Sequence, residues 1–173
     1  YLLRGAPKGD GPVVRLIGSG PVMVQVLDAV EKLETYGVRC EIYSATSYGE
    51  LRREGLACDR HNRLHPTDDL QKPYVETLLA EPLPTVAVSD NMAAVPDMIR
   101  QWVSGPYTVL GTDGFGRSDT REALRRFFEI DGAAIALAAL SSLVREGELD
   151  GKVYAKAEKN FAVSTDRPDI ASL

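Results

Sequence analysis

Gly111, Gly114 and Gly116 place three glycines in six positions, directly after the apolar run Tyr107-Thr108-Val109-Leu110 and before Arg117-Ser118-Asp119. Glycines let a backbone come close to an anion, and the free N–H groups at a helix start point toward one. The chemistry open to this stretch is therefore anion or ligand contact, with Asp113, Gly114, Gly116, Arg117 and Ser118 as the contact candidates. A P-loop requires Lys-Ser/Thr after its glycines, whereas Gly116 is followed by Arg117 and Ser118. A plain strand-to-helix turn is the competing role, and on residue chemistry alone it is the better one.

Other residue sets invite the same question. Gly18-Ser19-Gly20 sits where a dinucleotide fold carries its phosphate fingerprint, but Met23 stands in place of a third glycine and Pro21 lacks an N–H. Cys58, His61 and His65 are spaced three and four apart, which could gather zinc ligands on one side of a helix, with Asp59, Asp68 and Asp69 nearby. The segment reads as a polar loop with Asn62 and Pro66, so loop hydrogen bonds are the plainer role for the histidines. Neither histidine lies near a G-x-S-x-G turn, and a Ser-His-Asp arrangement is unsupported. Asp113, Asp119, Glu122 and Asp131 could supply acid–base pairs. Helix capping explains most of them first: Asp119 with Glu122 forms a capping box, and Asp131 caps the next helix.

Those residues need elements to hold them. Residues 13–17 read as a buried strand, followed by a helix from Pro21 to about Tyr36 that buries Val22, Val26, Ala29, Val30 and Leu33 and stops at Gly37. A second strand spans 38–43. Ser47 and Glu50 open a short helix ending near Gly55, and residues 58–72 form a loop. Pro73 starts a helical turn, 85–88 is a third strand, 92–103 a helix and 107–110 a fourth strand. Helices follow from Asp119 to about Phe128, from Asp131 to about Arg145, and over 151–161. Alternating strands and helices predict an α/β three-layer sandwich with a mostly parallel central sheet. Residues 1–12 are expected to be an extended lead-in, 13–163 one domain and 164–173 a frayed polar tail.

The 173 residues are 44% hydrophobic and 26% charged, which suits one globular domain. A net charge of -5 disfavours bulk nucleic-acid binding. Cys40 and Cys58 read as reduced thiols in a cytoplasmic protein rather than as a disulfide framework. The longest apolar run, 133–140, is far short of the roughly 20 residues of a membrane helix, so no membrane is expected among the partners. The start Tyr-Leu-Leu-Arg-Gly suggests a piece of something longer.

Four stretches then carry a resemblance: "GTDGFGRSDTREALRRFFEID", "YSATSYGELRREG", "CDRHNRLHP" and "SDNMAAVPDMIRQWV". Together they closely resemble the C-terminal domain of the homodimeric, thiamine diphosphate-dependent pyruvate dehydrogenase decarboxylating components. Asp113-Gly114-Phe115-Gly116-Arg117-Ser118 is also similar to a turn of transketolase C-terminal domains, which implies a transketolase C-terminal-domain-like fold. The resemblance implies a parent enzyme that decarboxylates pyruvate on thiamine diphosphate with magnesium and reductively acetylates a lipoyl group. Its implied partners are the preceding domains of the same polypeptide, a second subunit, and the dihydrolipoyl acetyltransferase with its lipoyl domain. It implies too that other domains hold the cofactor, and that the domain itself supports assembly and walls the active-site channel without a complete active site. In the family's pattern the position of His61 is not restricted to histidine, which weakens the zinc idea. The Ala-rich helix over 132–143 is expected to be buried or at a contact. A stand-alone flavodoxin-like nucleotide-binding module, and a pure interaction domain, remain the rival readings.

Overall fold

The computed structural model describes residues 1–163 and Asp166, so the tail expected over 164–173 lies almost wholly outside the described residues. Five strands form one sheet: β1 (Leu2–Arg4), β2 (Val13–Gly18), β3 (Arg39–Ser44), β4 (Thr85–Val88) and β5 (Tyr107–Leu110), in the order β1-β3-β2-β4-β5. The helices are α1 (Met23–Glu34), α2 (Tyr48–Leu64), α3 (Tyr74–Leu78), α4 (Ala94–Asp97), α5 (Arg121–Phe127), α6 (Gly132–Arg145) and α7 (Gly151–Phe161). β2 to β5 run parallel, Leu16 facing Ile42 on one side and Val86 on the other. The lead-in does more than extend: β1 pairs antiparallel with β3, Leu2 opposite Tyr43, as a short exposed edge strand. Three exposed residues carry no alternation by which a strand is recognised.

Strand side chains alternate between two cores. Val14, Leu16, Cys40, Ile42, Val86 and Val88 meet α1, α6 and α7 on one face of the sheet. Ile17, Tyr43, Ala87 and Tyr107 meet α2, α3 and the turn around Trp102 on the other. The expected three-layer α/β arrangement is therefore present, with α1 burying Val26, Ala29, Val30 and Leu33; the start expected at Pro21 is a 3₁₀ turn, Gly20–Val22, and after Glu34 the chain turns through Gly37, whose φ is +73°. Arg15 is 1% exposed on the central strand. A buried charge must be paired, and its Nε donates to Glu41 Oε2 at 3.2 Å while Nη1 donates to the Glu81 carbonyl at 3.2 Å.

Two other helix boundaries differ from expectation. α2 does not stop near Gly55 but continues to Leu64, so Cys58 and His61 are helical rather than in a loop. Gly55 is an interior packing glycine: a Cβ there would lie 2.6–2.7 Å from the Trp102 ring. The helix expected over 92–103 breaks into α4 and a 3₁₀ turn, Arg100–Trp102. The Tyr107 hydroxyl donates to the Pro96 carbonyl at 2.8 Å, so β5 engages the acceptor that a continuing helix would offer to the Arg100 amide, and Arg100 Nη1 fastens the turn to the Tyr107 carbonyl at 2.6 Å.

α6 is the most apolar helix and is packed as expected, with Ile135, Ala136, Leu137, Ala139, Leu140 and Leu143 buried. The 25-residue stretch Arg121–Arg145 has the length and apolarity of a membrane-crossing helix, but half of its apolar window is buried. The chain also turns between α5 and α6, Glu129 having φ 56°. Both cysteines are free and buried.

Two measurements check this packing. Gly55→Ala gains about 1 kcal/mol of helix propensity but overpacks the indole by about 1–3 kcal/mol, so net destabilisation is expected in urea unfolding followed by the fluorescence of Trp102. That residue is the chain's single tryptophan. Among the described residues, Tyr48 Oη is the buried side-chain polar atom without a hydrogen-bond partner. Tyr48→Phe is expected to leave stability unchanged or raise it by about 1 kcal/mol. Burial holds Tyr48 and Tyr107 neutral, their hydroxyl pKa values raised above 10.0, and burial with the Glu34 charge pushes the Cys40 thiol from 9.0 up to about 12. The unfolded chain loses these protons first, so stability is full below pH 9.0 and falls as the pH rises toward 12. Tyr48→Phe flattens that alkaline loss; an unchanged urea midpoint between neutral and strongly alkaline pH would contradict it.

Candidate functional site

The loops after β2, β3, β4 and β5 all leave the carboxyl edge of the parallel sheet, the edge at which open α/β sheets bind ligands. The glycine-rich turn belongs to this set. A Cβ on Gly111 would stand 2.3 Å from Ala93 N and 2.7 Å from the Asn91 carbonyl oxygen, so glycine is needed for the β5 exit to touch the β4 exit. Thr112 N donates to the Asn91 carbonyl at 2.9 Å, and Thr112 Oγ1 to the Asp90 carbonyl at 3.0 Å. Asp113 Oδ1 accepts from Ala93 N at 3.0 Å. Gly114 has φ +85°, a left-handed turn that glycine adopts without strain.

The five contact candidates therefore separate. Asp113 is spent on the tether and Gly114 on the turn. Gly116, Arg117 and Ser118 point outward with Phe115, which is 83% exposed and was not singled out by residue chemistry. The Arg117 guanidinium lies 4.2 Å from the centre of the Phe127 ring. A surface cavity of about 340 Å³ lies between this loop and α5, lined by Arg117, Ser118, Asp119, Ala123, Leu124 and Phe127. Nothing here is a P-loop cradle of converging N–H groups.

The carboxylates are mostly consumed by the backbone. Thr120, not Asp119, caps α5: its hydroxyl accepts from Ala123 N at 3.2 Å, while Asp119 accepts from Thr120 N at 2.6 Å. The expected box of Asp119 with Glu122 does not form, because the helix begins one residue later; Glu122 lies 4.0 Å from Arg126 on the surface. Thr120 lacks the Glu or Gln three positions on that marks a box, so only its hydroxyl betrays the cap. Asp131 caps α6 as expected, accepting from Ala134 N at 2.9 Å. Ser47 accepts from Glu50 N at 3.2 Å, but the Glu50 carboxylate engages Arg53 instead of closing the box.

The remaining sets have structural roles. Met23 Sδ and Val26 Cγ2 fill the space over Gly18, 2.4 and 2.9 Å from where a Cβ would be, so that turn serves the close packing of α1. Cys58 Sγ donates to Glu54 Oε1 at 3.4 Å, and His65 is exposed, its Nδ1 3.9 Å from Asp68 Oδ2. Asp59 accepts from Trp102 Nε1 at 3.2 Å. Among the described residues no three His, Cys, Asp or Glu side chains gather as a metal site, and the zinc spacing is a helix repeat only.

Known proteins give this fold its relatives. The family model of the transketolase-like C-terminal domain matches residues 1–131. The chain is 42% identical over 165 residues to a pyruvate dehydrogenase E1 component of Mycolicibacterium smegmatis, covering 94% of this chain and 18% of that protein. It is 47% identical over 162 residues to the protein of the same name from Haemophilus influenzae, covering 92% and 18%. Against a transketolase variant of Pichia stipitis solved with xylulose 5-phosphate, the TM-score is 0.57 at 15% identity, covering 87% of this chain and 18% of that one. A split-gene transketolase, an inactive tetramer, gives 0.53 at 17% identity, covering 78% and 40%. These structural likenesses speak for the fold alone, and the chain spans 18% of the length of the first relatives. By the family match over most of its length, the chain belongs to the transketolase-like C-terminal domain family.

Proposed function

We propose that this domain is the C-terminal part of a homodimeric pyruvate dehydrogenase decarboxylating component, an oxidoreductase that releases CO₂ from pyruvate and reductively acetylates a lipoyl group. The observation that carries the reading is the 42% identity running through 94% of the chain to a protein of that name. In it, the domain supports the dimer and the neighbouring domains, and the turn with Gly114, Gly116, Arg117 and Ser118 forms an outer wall of the active-site channel. Asp113 supports that wall from behind, through its bond to the Ala93 amide. The lipoyl group would come from the dihydrolipoyl acetyltransferase of the same complex, in the cytoplasm.

Thiamine diphosphate and magnesium are the cofactors of that parent activity. The residues of this chain do not fit them. Among the described residues there is no acidic cluster for a divalent cation; of the three Gly-x-Gly turns, the space over Gly18 is filled by Met23 and Val26, a Cβ on Gly11 would lie 2.0 Å from the Gly37 carbonyl oxygen, and Gly114-Phe115-Gly116 is followed by no Lys-Ser/Thr. In this reading the cofactor falls to other domains of the longer polypeptide, and the side chains of this domain carry no chemical step.

Two readouts test the reading together. The isolated chain is expected to show no thermal shift with thiamine diphosphate and magnesium, nor with NAD or ATP. A nucleotide held at 100 times its Kd would stabilise by about 2.7 kcal/mol, a rise of about 5–10 °C, and would establish a nucleotide-binding module instead. The full-length polypeptide carrying this domain is expected to release CO₂ from pyruvate only with thiamine diphosphate and magnesium; a parent inert toward pyruvate overturns the proposal.

A further inference from the structure

α5 stands off the body of the domain. None of its residues is buried, and cavities of about 340 and 640 Å³ flank it. The helix and the loop before it carry an unusual charge balance for so acidic a chain: residues 115–126 hold four arginines against Asp119 and Glu122, in a chain of net charge -5. Asp119 is turned onto the backbone at Thr120, so its charge is partly spent within the loop. Arg121 is exposed and makes no ion pair among the described residues. Arg125 Nη2 donates to the Pro21 carbonyl at 3.4 Å.

The apolar part of the patch is Phe115, the most exposed large hydrophobic side chain described, at 83%. The loop that presents it is fixed at both ends, by the Asp113 tether and by Arg117 over Phe127, so ordering it on contact costs little conformational entropy. Gly116 adds an independent sign. A Cβ there would meet nothing within 4 Å, and its φ lies outside the left-handed range, so nothing among the described residues requires glycine at that position. A bare backbone beside an exposed aromatic suits close approach from outside.

We propose that Phe115, Gly116, Arg117, Arg121 and Arg125 form a docking surface for an acidic protein segment bearing one apolar side chain. The apolar group packs on Phe115 over the Gly116 backbone, and the carboxylates pair with the arginines. Charge complementarity selects this occupant. Screening confines the attraction to about 8–10 Å, so a short acidic segment meets only the arginines, whereas a nucleic acid or an anionic membrane also faces the acidic remainder of the chain. The inference rests on reading residues 113–118 as an outward wall, and it names what that wall receives.

The test is fluorescence anisotropy of a labelled peptide of alternating glutamate and aspartate with one central leucine, titrated with the 173-residue chain. Binding is expected at a Kd of about 10–100 µM, a weak and transient contact, falling as salt rises. Arg121→Glu is expected to weaken it about tenfold and Phe115→Ala about fivefold, both being exposed positions that leave the circular dichroism unchanged. Gly116→Leu separates docking from folding, because its side chain has room within the domain: an unchanged Tm with weaker binding is expected. No binding, equal binding by all three variants, or binding of a single-stranded DNA or of phosphatidylserine vesicles as tight as that of the peptide overturns the proposal. Such a failure leaves the pyruvate reading standing, because CO₂ release by the full-length polypeptide decides that one separately.

Discussion

A parallel sheet whose inner strands are apolar on both sides can leave neither face to water, and most of this structure follows from that constraint. β2 lies between β3 and β4, and its residues divide strictly: Val14 and Leu16 to one core, Ile17 to the other. Two helical layers are then obligatory. The layer of α1, α6 and α7 is built from aliphatic side chains and alanine, so its helices lie close. The opposite layer uses Tyr43, Tyr48, Trp102 and Tyr107, larger groups with polar ends that must find partners. Tyr107 and Trp102 find them, in the Pro96 carbonyl and the Asp59 carboxylate, while Tyr48 does not.

Glycine sets how near the layers come. Gly55 admits the Trp102 ring against α2, and Gly18 admits Met23 and Val26 of α1 against the sheet. Gly132 opens α6 where a Cβ would stand 1.9 Å from Asp28 Oδ2, and Gln25 of α1 accepts its amide at 3.1 Å. The obstacles differ in kind. An indole enclosed in a core cannot yield; at Gly132 the Asp28 carboxylate could turn away, but Asp28 Cβ, 2.9 Å from the added carbon and fixed to α1, could not. Both positions therefore resist a side chain, and in each only the neighbours show why.

That dependence on neighbours marks what a sequence can and cannot reveal. The buried strands, the apolar stripe of α1, the Asp131 cap and the order of elements are local patterns of period and type, and they were legible. Gly55 was misread as a helix end because a glycine in a helical run signals a stop unless a distant ring is known to press on it. The segment 92–103 was misread as one helix because the competing donor, Tyr107, comes from the next strand. At the candidate site, the glycines were visible but their reasons were not. Gly111 answers to Ala93 and Asn91, eighteen and more residues earlier, and Phe115 draws attention only once its exposure is known.

The carboxyl edge of the sheet is where an α/β domain of this kind would keep its chemistry, yet here its polar groups are largely spoken for by the backbone. Asp113, Asp119 and Asp131 each accept an amide N–H, and Thr112 bridges two exit loops. A carboxylate fixed in that way lowers the cost of a turn or a helix end, and its orientation is set by that bond. What is left pointing outward includes Phe115, Arg117 and Arg121, with Ser118 and Glu122 beside them. The physical division is between a rigid inner tether and an outer face with unspent charge.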